Sequence, residues 1–396
     1  MTASRRLAYA FGISTVLGVT LAAQTPLPLF IYTHPAERAR YMANAVIWRD
    51  PGPLTPDDIR KGPKAAIPEA ILNAGNNPVE CRYERAGTEL GGKTPKFSCR
   101  TSDGKSLRVK YYGADSGNRE VFAEVAASRL MWALGFDSDP AFPAIISCLD
   151  CPDDPWHGSG GRQARRYFVS YEPHYEGTII TSTKDLDQGW TFGEVDSAIN
   201  GLAAGALRAR QRMHFDALSL LAVFLQHGDR KRSQQRLVCR GQIDISKGDM
   251  HEVESDIKDI SAPVLFEHPG EQACVGESFI TIQDAGATFG GAGTFTKSSA
   301  KVHLKSWSGK KIFSQGCRGN IGVSGSAGSD AMGDPMISEA GRQFLATQFK
   351  RLTPDHVRAI FETAHITELR EEATVDAWVA AFLDKVRQID EAHCGS

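Results

Sequence analysis

From residue 79 onward, apolar and polar residues alternate in short runs separated by glycine and lysine. Residues 79–84, 96–100 and 107–112 read as three strands of a meander, with Ser102-Asp103-Gly104 as the turn between the last two. Apolar side chains then change period. Phe122, Val125, Ala126, Leu130, Ala133 and Leu134 fall on one face of a helix over 120–134, and Gly135 stops it. Three strands followed by a helix predict a small α+β unit. Residues 167–171 form another apolar strand, ended by Pro173. Beyond it the pattern is mainly helical, and residues 213–225 are apolar nearly all round, as a helix buried in a large core is. Residues 236–245 and 278–283 read as strands around a charged insertion, and residues 315–334 as a mobile loop rich in glycine and serine. Thr353-Pro354 and Thr374 stand as N-caps of two closing helices. Residues 24–78 carry proline, alanine and charge with only short helical hints, such as Thr55-Pro56-Asp57-Asp58, and read as an extension that wraps or leads into the fold.

The chain has 396 residues, is 41% hydrophobic and 23% charged, and carries a net charge of -2, which excludes a disordered chain and supports a sizeable core. At roughly 150 residues per unit, it makes two to three domains or one two-lobed domain with extensions. Forty-five basic against forty-seven acidic side chains give no general electrostatic reason to expect nucleic acid or an anionic membrane as a partner. Arg5 and Arg6 precede an apolar stretch, residues 7–23, ending in Ala22-Ala23, which reads as a secretory signal peptide cut there. An uncleaved anchor is the alternative, since about 17 residues is the short end of what spans a bilayer. With that leader removed, no membrane segment is expected, and the location is periplasmic or extracellular. All eight cysteines follow the leader, which favours disulfides. Sequential pairing is expected: Cys81 and Cys99 flank a glycine-containing turn, Cys239 and Cys274 bracket the polar insertion, and Cys148–Cys151 and Cys317–Cys394 follow. A redox-active pair or half of a zinc site is the alternative for Cys148 and Cys151, and the zinc site lacks the second pair of ligands it would need.

The chemistry concentrates after the buried helix, in His227-Gly228-Asp229-Arg230-Lys231-Arg232-Ser233-Gln234, which matches the catalytic-loop pattern H-R-D-x-K-x-x-N at His227, Asp229 and Lys231. Gln234 stands where asparagine is usual. Lys110 ends the third strand, Glu124 lies on the helix after it, and Asp284-Ala285-Gly286 ends a later strand. Phosphoryl transfer works mainly by positioning and charge neutralisation. Lys110 is suited to the α/β-phosphates of ATP or another nucleotide, and Glu124 to holding Lys110. Asp284 and Gln234 are candidate ligands for Mg²⁺ or Mn²⁺. Asp229 would orient the acceptor hydroxyl, and Lys231 would offset charge near the γ-phosphate. In residues 86–93, Gly87, Gly91 and Gly92 would let backbone N–H groups approach phosphate. Glu120, one turn before Glu124, is a rival partner for Lys110. His214 and Asp216 read as core groups, His157 and His174 as surface or hinge residues, and Trp132 as core.

From about residue 79 the chain resembles the protein-kinase-like superfamily, and more closely its atypical branches, the phosphoinositide-kinase, HipA and secretory-pathway kinase groups. Residues 124–135, 235–239 and 283–290 also look like exported bacterial proteins from which no activity carries over. The resemblance implies an α+β, two-lobed kinase-like fold, with a β-rich N-lobe at 79–172 and a mainly helical C-lobe at 173–396 carrying an insertion near 240–277. Adenine is expected against a hinge at 168–172, with Glu172 among the nucleotide contacts. The implied function is an exported nucleotide-dependent phosphotransferase of unspecified acceptor. A catalytically inactive binding protein and a transferase of AMP are the alternatives. Gly228 in place of arginine argues against switching through a phosphorylated activation loop. Gln234 adds a methylene that Mg²⁺ tolerates poorly. The gap 284 - 229 = 55 requires an insertion, which Cys239 and Cys274 would staple. Replacing Lys110 is expected to leave the fold intact.

Overall fold

A computed structural model of the chain describes residues 30–33, 35–64, 67–68, 71, 77–85, 94–112, 119–173, 177–182, 189–227, 231–241, 243–244, 250–252, 264–266, 273–290, 302–321, 333–369 and 373–395. The leader, the glycine-containing segment 86–93 with Gly87, Gly91 and Gly92, His174, and Gly228-Asp229-Arg230 lie outside the described residues.

Five strands close into a barrel in the order β2 (Pro78–Glu84), β3 (Lys96–Thr101), β4 (Ser106–Tyr111), β6 (Ser159–Tyr171) and β5 (Phe142–Asp154). The three-strand meander is present within it. Strands β5 and β6 are the correction: each runs 13 residues where only residues 167–171 were expected. The outer half of β6 is polar and exposed on consecutive residues, so it lacks the alternation that marks a half-buried strand. Val79, Cys81, Phe97, Cys99, Leu107, Val109, Ile146 and Val169 fill the interior at every second position. Cys81–Cys99 joins β2 to β3 inside the barrel, and Cys148–Cys151 closes a short loop on β5.

The helix after β4, Glu120–Leu134, packs against the barrel and against the larger core. Every residue from Val121 to Leu134 except Trp132 is buried, including Glu124, Ser128 and Arg129. Gly135 ends the helix at φ 85°, where a Cβ would overlap the Arg49 carbonyl oxygen.

Residues 30–61 do more than lead into the fold. Phe30–Thr33 (β1) pairs in parallel with Thr178–Ser182 (β7) at one edge of a four-stranded sheet, β1-β7-β8-β13, completed by Gln235–Arg240 (β8) and Glu277–Ile282 (β13). The helix Pro35–Asn44 packs on Phe192–Asn200, and Pro56–Lys61, opened by a Thr55–Asp58 capping box, packs on Pro354–Thr363. β8 and β13 are antiparallel, with Cys239 opposite Ser278, and Cys239–Cys274 fastens the intervening insertion to this pair. The buried helix spans Ala206–Leu225. It meets Glu339–Phe349 and Val375–Glu391 around Phe224, whose ring contacts Trp307, Phe349 and Phe382, and the Trp307 indole donates to the Phe224 carbonyl. Part of the expected 315–334 loop is instead a short hairpin, Phe313–Gln315 with Arg318–Gly319, held by Cys317–Cys394. All four sequential disulfides are present. Thr353 and Thr374 cap their helices. Among the described residues no helix is long and apolar enough to cross a membrane.

Candidate functional site

The site forms where the barrel, the helix Glu120–Leu134 and the end of β13 meet. Alternation along β4 turns Val109 and Tyr111 into the barrel and Lys110 out of it, toward the helix. Lys110 Nζ lies 2.5 Å from Glu124 Oε1, 2.9 Å from Glu172 Oε1 and 4.0 Å from Asp284 Oδ2. The Glu124 side chain is only 2% exposed, and its other oxygen accepts from Ser170 Oγ at 2.7 Å. Glu120 is not the partner of Lys110; its carboxylate accepts from Thr94 Oγ1.

One ammonium therefore faces three carboxylates, and their titration follows from that. Burial alone would lower the Lys110 value, but the charges of Asp284, Glu124 and Glu172 outweigh it and hold the ammonium well above its ordinary range. Burial pushes the Glu124 carboxyl well up, with Glu172 acting the same way and Lys110 opposing. Glu172 is held below its usual value: burial would raise it, but the charge of Lys110 and a hydrogen bond from Glu124 overcome that. The two glutamates are thus pushed in opposite directions and titrate as a pair. Lys110 is therefore not an exposed lysine but one partner of a buried charge cluster, from which removing a partner is costly.

A fourth carboxyl adjoins the cluster. Asp139 follows the helix, and its N–H donates to the Ile282 carbonyl at 2.9 Å, two residues before Asp284. Its Oδ1 is buried without a hydrogen-bond partner among the described residues, and burial, followed by repulsion from Glu172, pushes its carboxyl well up. Asp284 Oδ1 accepts from the Gly286 N–H at 2.9 Å, which fixes the carboxylate in an Asx turn. The Gln234 carbonyl accepts from the N–H groups of Gln283 and Asp284, at 3.0 and 3.5 Å, so the backbone draws the two candidate metal ligands side by side. Gln234 ends the short 3₁₀ turn Arg232–Gln234, and Lys231 just before it is exposed. His227 is fully buried, with its N–H on the Ala222 carbonyl at 2.9 Å. Arg232 anchors this segment: its Nη1 is 2.8 Å from Glu194 Oε1, which also receives Arg38 Nη1 at 3.1 Å.

Among the described residues no three His, Cys, Asp or Glu side chains form a metal cluster. Asp284 and the amide oxygen of Gln234 nevertheless suit Mg²⁺, which typically takes one or two carboxylates and completes its shell with water and phosphate oxygens.

No protein-family model matches the chain. No curated protein matches it either. Among solved structures it is similar to a Helicobacter pylori proinflammatory kinase, CtkA, at 11% identity and a TM-score of 0.39, covering 79% of this chain and 94% of that one. It is also similar to a Golgi casein kinase with Mn/ADP bound, at 11% identity and a TM-score of 0.33, covering 81% of this chain and 74% of that one.

Of the sequence candidates, Lys110, Glu124, Glu172 and Asp284 come together, with Gln234 adjacent through the backbone. Glu172, at the end of the segment 168–172 expected to meet adenine, turns its side chain onto Lys110. Sequence reasoning missed Lys96, Asp139 and the Glu194 anchor. Lys96 is invisible until β3 is registered against β4, whereas Thr191-x-x-Glu194 is a legible capping box.

Proposed function

We propose that this chain is an exported, kinase-like phosphotransferase that binds a nucleotide with Mg²⁺ or Mn²⁺. The observation that carries the reading is the contact set of Lys110 with Glu124 and Asp284, each in the order expected: last part of a strand, following helix, end of a later strand. A lysine held by a helix carboxylate and facing a metal-binding aspartate is the arrangement phosphate neutralisation calls for. The bound metal–nucleotide would supply the phosphoryl group. Lys110 would hold its phosphates and Glu124 would hold Lys110. Asp284 and Gln234 would hold the metal, and Asp229 would orient the acceptor hydroxyl. Residues 79–172 and 173–396 would act as the two lobes around that site. The four disulfides support an oxidising compartment.

The test is calorimetric titration of purified protein with ATP, with and without Mg²⁺ or Mn²⁺, alongside transfer of labelled γ-phosphate to the protein itself. Asp284→Ala is expected to lose metal-dependent binding, whereas Asp229→Ala keeps binding and loses transfer. Wild-type protein that binds no nucleotide with either metal, or undiminished transfer in Asp229→Ala, would overturn the reading.

A further inference from the structure

Lys96 and Lys110 stand directly opposite one another in the antiparallel β3–β4 register. Directly opposed side chains leave the same face of a sheet with Cβ atoms about 4.5–5.5 Å apart, and like charges so placed repel. Two residues before Lys110, on the same face of β4, comes Arg108, opposite Ser98. Three cations thus share one patch of the outer barrel face at the edge of the acidic cluster. Their mutual influence is visible at Lys96, which is half-buried. Burial pushes its ammonium below the ordinary range, Lys110 and Arg108 push it further, and Glu172 and Asp284 pull the other way. Lys96 therefore feels both the cations and the carboxylates of the Lys110 site. A polyanion lying across both lysines would offset their mutual repulsion.

We propose that Lys96 is a second phosphate-binding cation of the Lys110 site, and that the pair makes the site selective for a nucleoside triphosphate over the diphosphate and monophosphate. The two ammonium groups spring from neighbouring strands, about 4.8 Å apart, so adjacent phosphates of one chain can each meet a cation. Lys110, tied to Glu124 and Glu172, serves the inner phosphates. Lys96, at the start of β3, serves the terminal one. The inference rests on the nucleotide reading above and adds to it the length of the phosphate chain.

Calorimetric titration of wild type, Lys96→Met and Lys96→Arg with ATP, ADP and AMP in Mg²⁺ tests it, with thermal unfolding of the ligand-free proteins as a check on the fold. Wild type is expected to bind ATP more tightly than ADP, and ADP more tightly than AMP. Lys96→Met should weaken ATP binding about tenfold, the effect of one charge-assisted hydrogen bond, with a smaller loss for ADP and none for AMP. Lys96→Arg should keep the wild-type order. A Met variant with wild-type ATP affinity refutes the proposal, as does one that loses affinity equally for all three nucleotides, since that loss is structural. Wild-type protein that binds none of the three removes the nucleotide reading itself, and this inference with it.

Discussion

Replacing Lys110 by methionine removes the positive charge that lies within 4.0 Å of all three carboxylates, Glu124, Glu172 and Asp284. Methionine keeps the length and most of the packing of the side chain. Removing one partner of a buried pair leaves an uncompensated charge, at a cost of about 3–5 kcal/mol. Here Glu124 can take up a proton, and the Glu172 side chain is 33% exposed, which lowers the expected loss to about 2–4 kcal/mol near pH 8. The pH dependence has a definite sign. The Glu124 carboxyl is already raised in the folded protein, so its contribution is full below its unfolded value and is lost as pH rises through the folded one. Without Lys110 that value rises further, so the penalty in the variant grows with pH. At pH 5 it should shrink to about 1 kcal/mol. Urea unfolding followed by tryptophan fluorescence, without reductant, at pH 5 and pH 8 measures both. The double variant Lys110→Met/Glu124→Gln should recover part of the pH 8 loss. An equal loss at the two pH values, or none at pH 8, would refute the argument from charge.

Two further outcomes are expected. Cys239→Ser with Cys274→Ser opens a loop with a sequence separation of 35, which should cost about 3–4 kcal/mol; an unchanged urea midpoint would show that the insertion contributes no constraint on the unfolded chain. Gly189→Ala places a methyl group into the carbonyl oxygens of Arg232 and Gln235, so it should destabilise by about 2 kcal/mol or more and release the Arg232–Glu194 anchor, read as faster amide exchange at residues 232–235; wild-type exchange there would contradict the close approach.

Local pattern and chain order carried much of this structure. The meander and the helix Glu120–Leu134 follow from spacing within short windows, whereas the strands around the insertion and the disulfides follow from chain order, each pairing with the next of its kind. What escaped is long-range. β1 has four residues, and nothing in Phe-Ile-Tyr-Thr names its partner near residue 180. The outer halves of β5 and β6 are held by pairing with each other in their own hairpin, so they need no alternating apolar face. At the site, Lys110, Glu124 and Asp284 were legible as residue types in an order. The turn of Glu172 onto Lys110, the orphaned oxygen of Asp139 and the facing pair Lys96 and Lys110 depend on register and side-chain direction, which no single window contains.

The parallel pairing of β1 with β7 also sets a timetable. Phe30 pairs with Ile179, a separation of 179 - 30 = 149 residues. A chain made from its N-terminus at about 5–20 residues per second leaves the first strand without its partner for roughly 7–30 s. Throughout that interval an apolar strand waits with both edges open, the condition in which strands pair with other chains. Until residue 182 has emerged, β1 is therefore open to misassembly, and a chaperone bound near residue 30 would protect it.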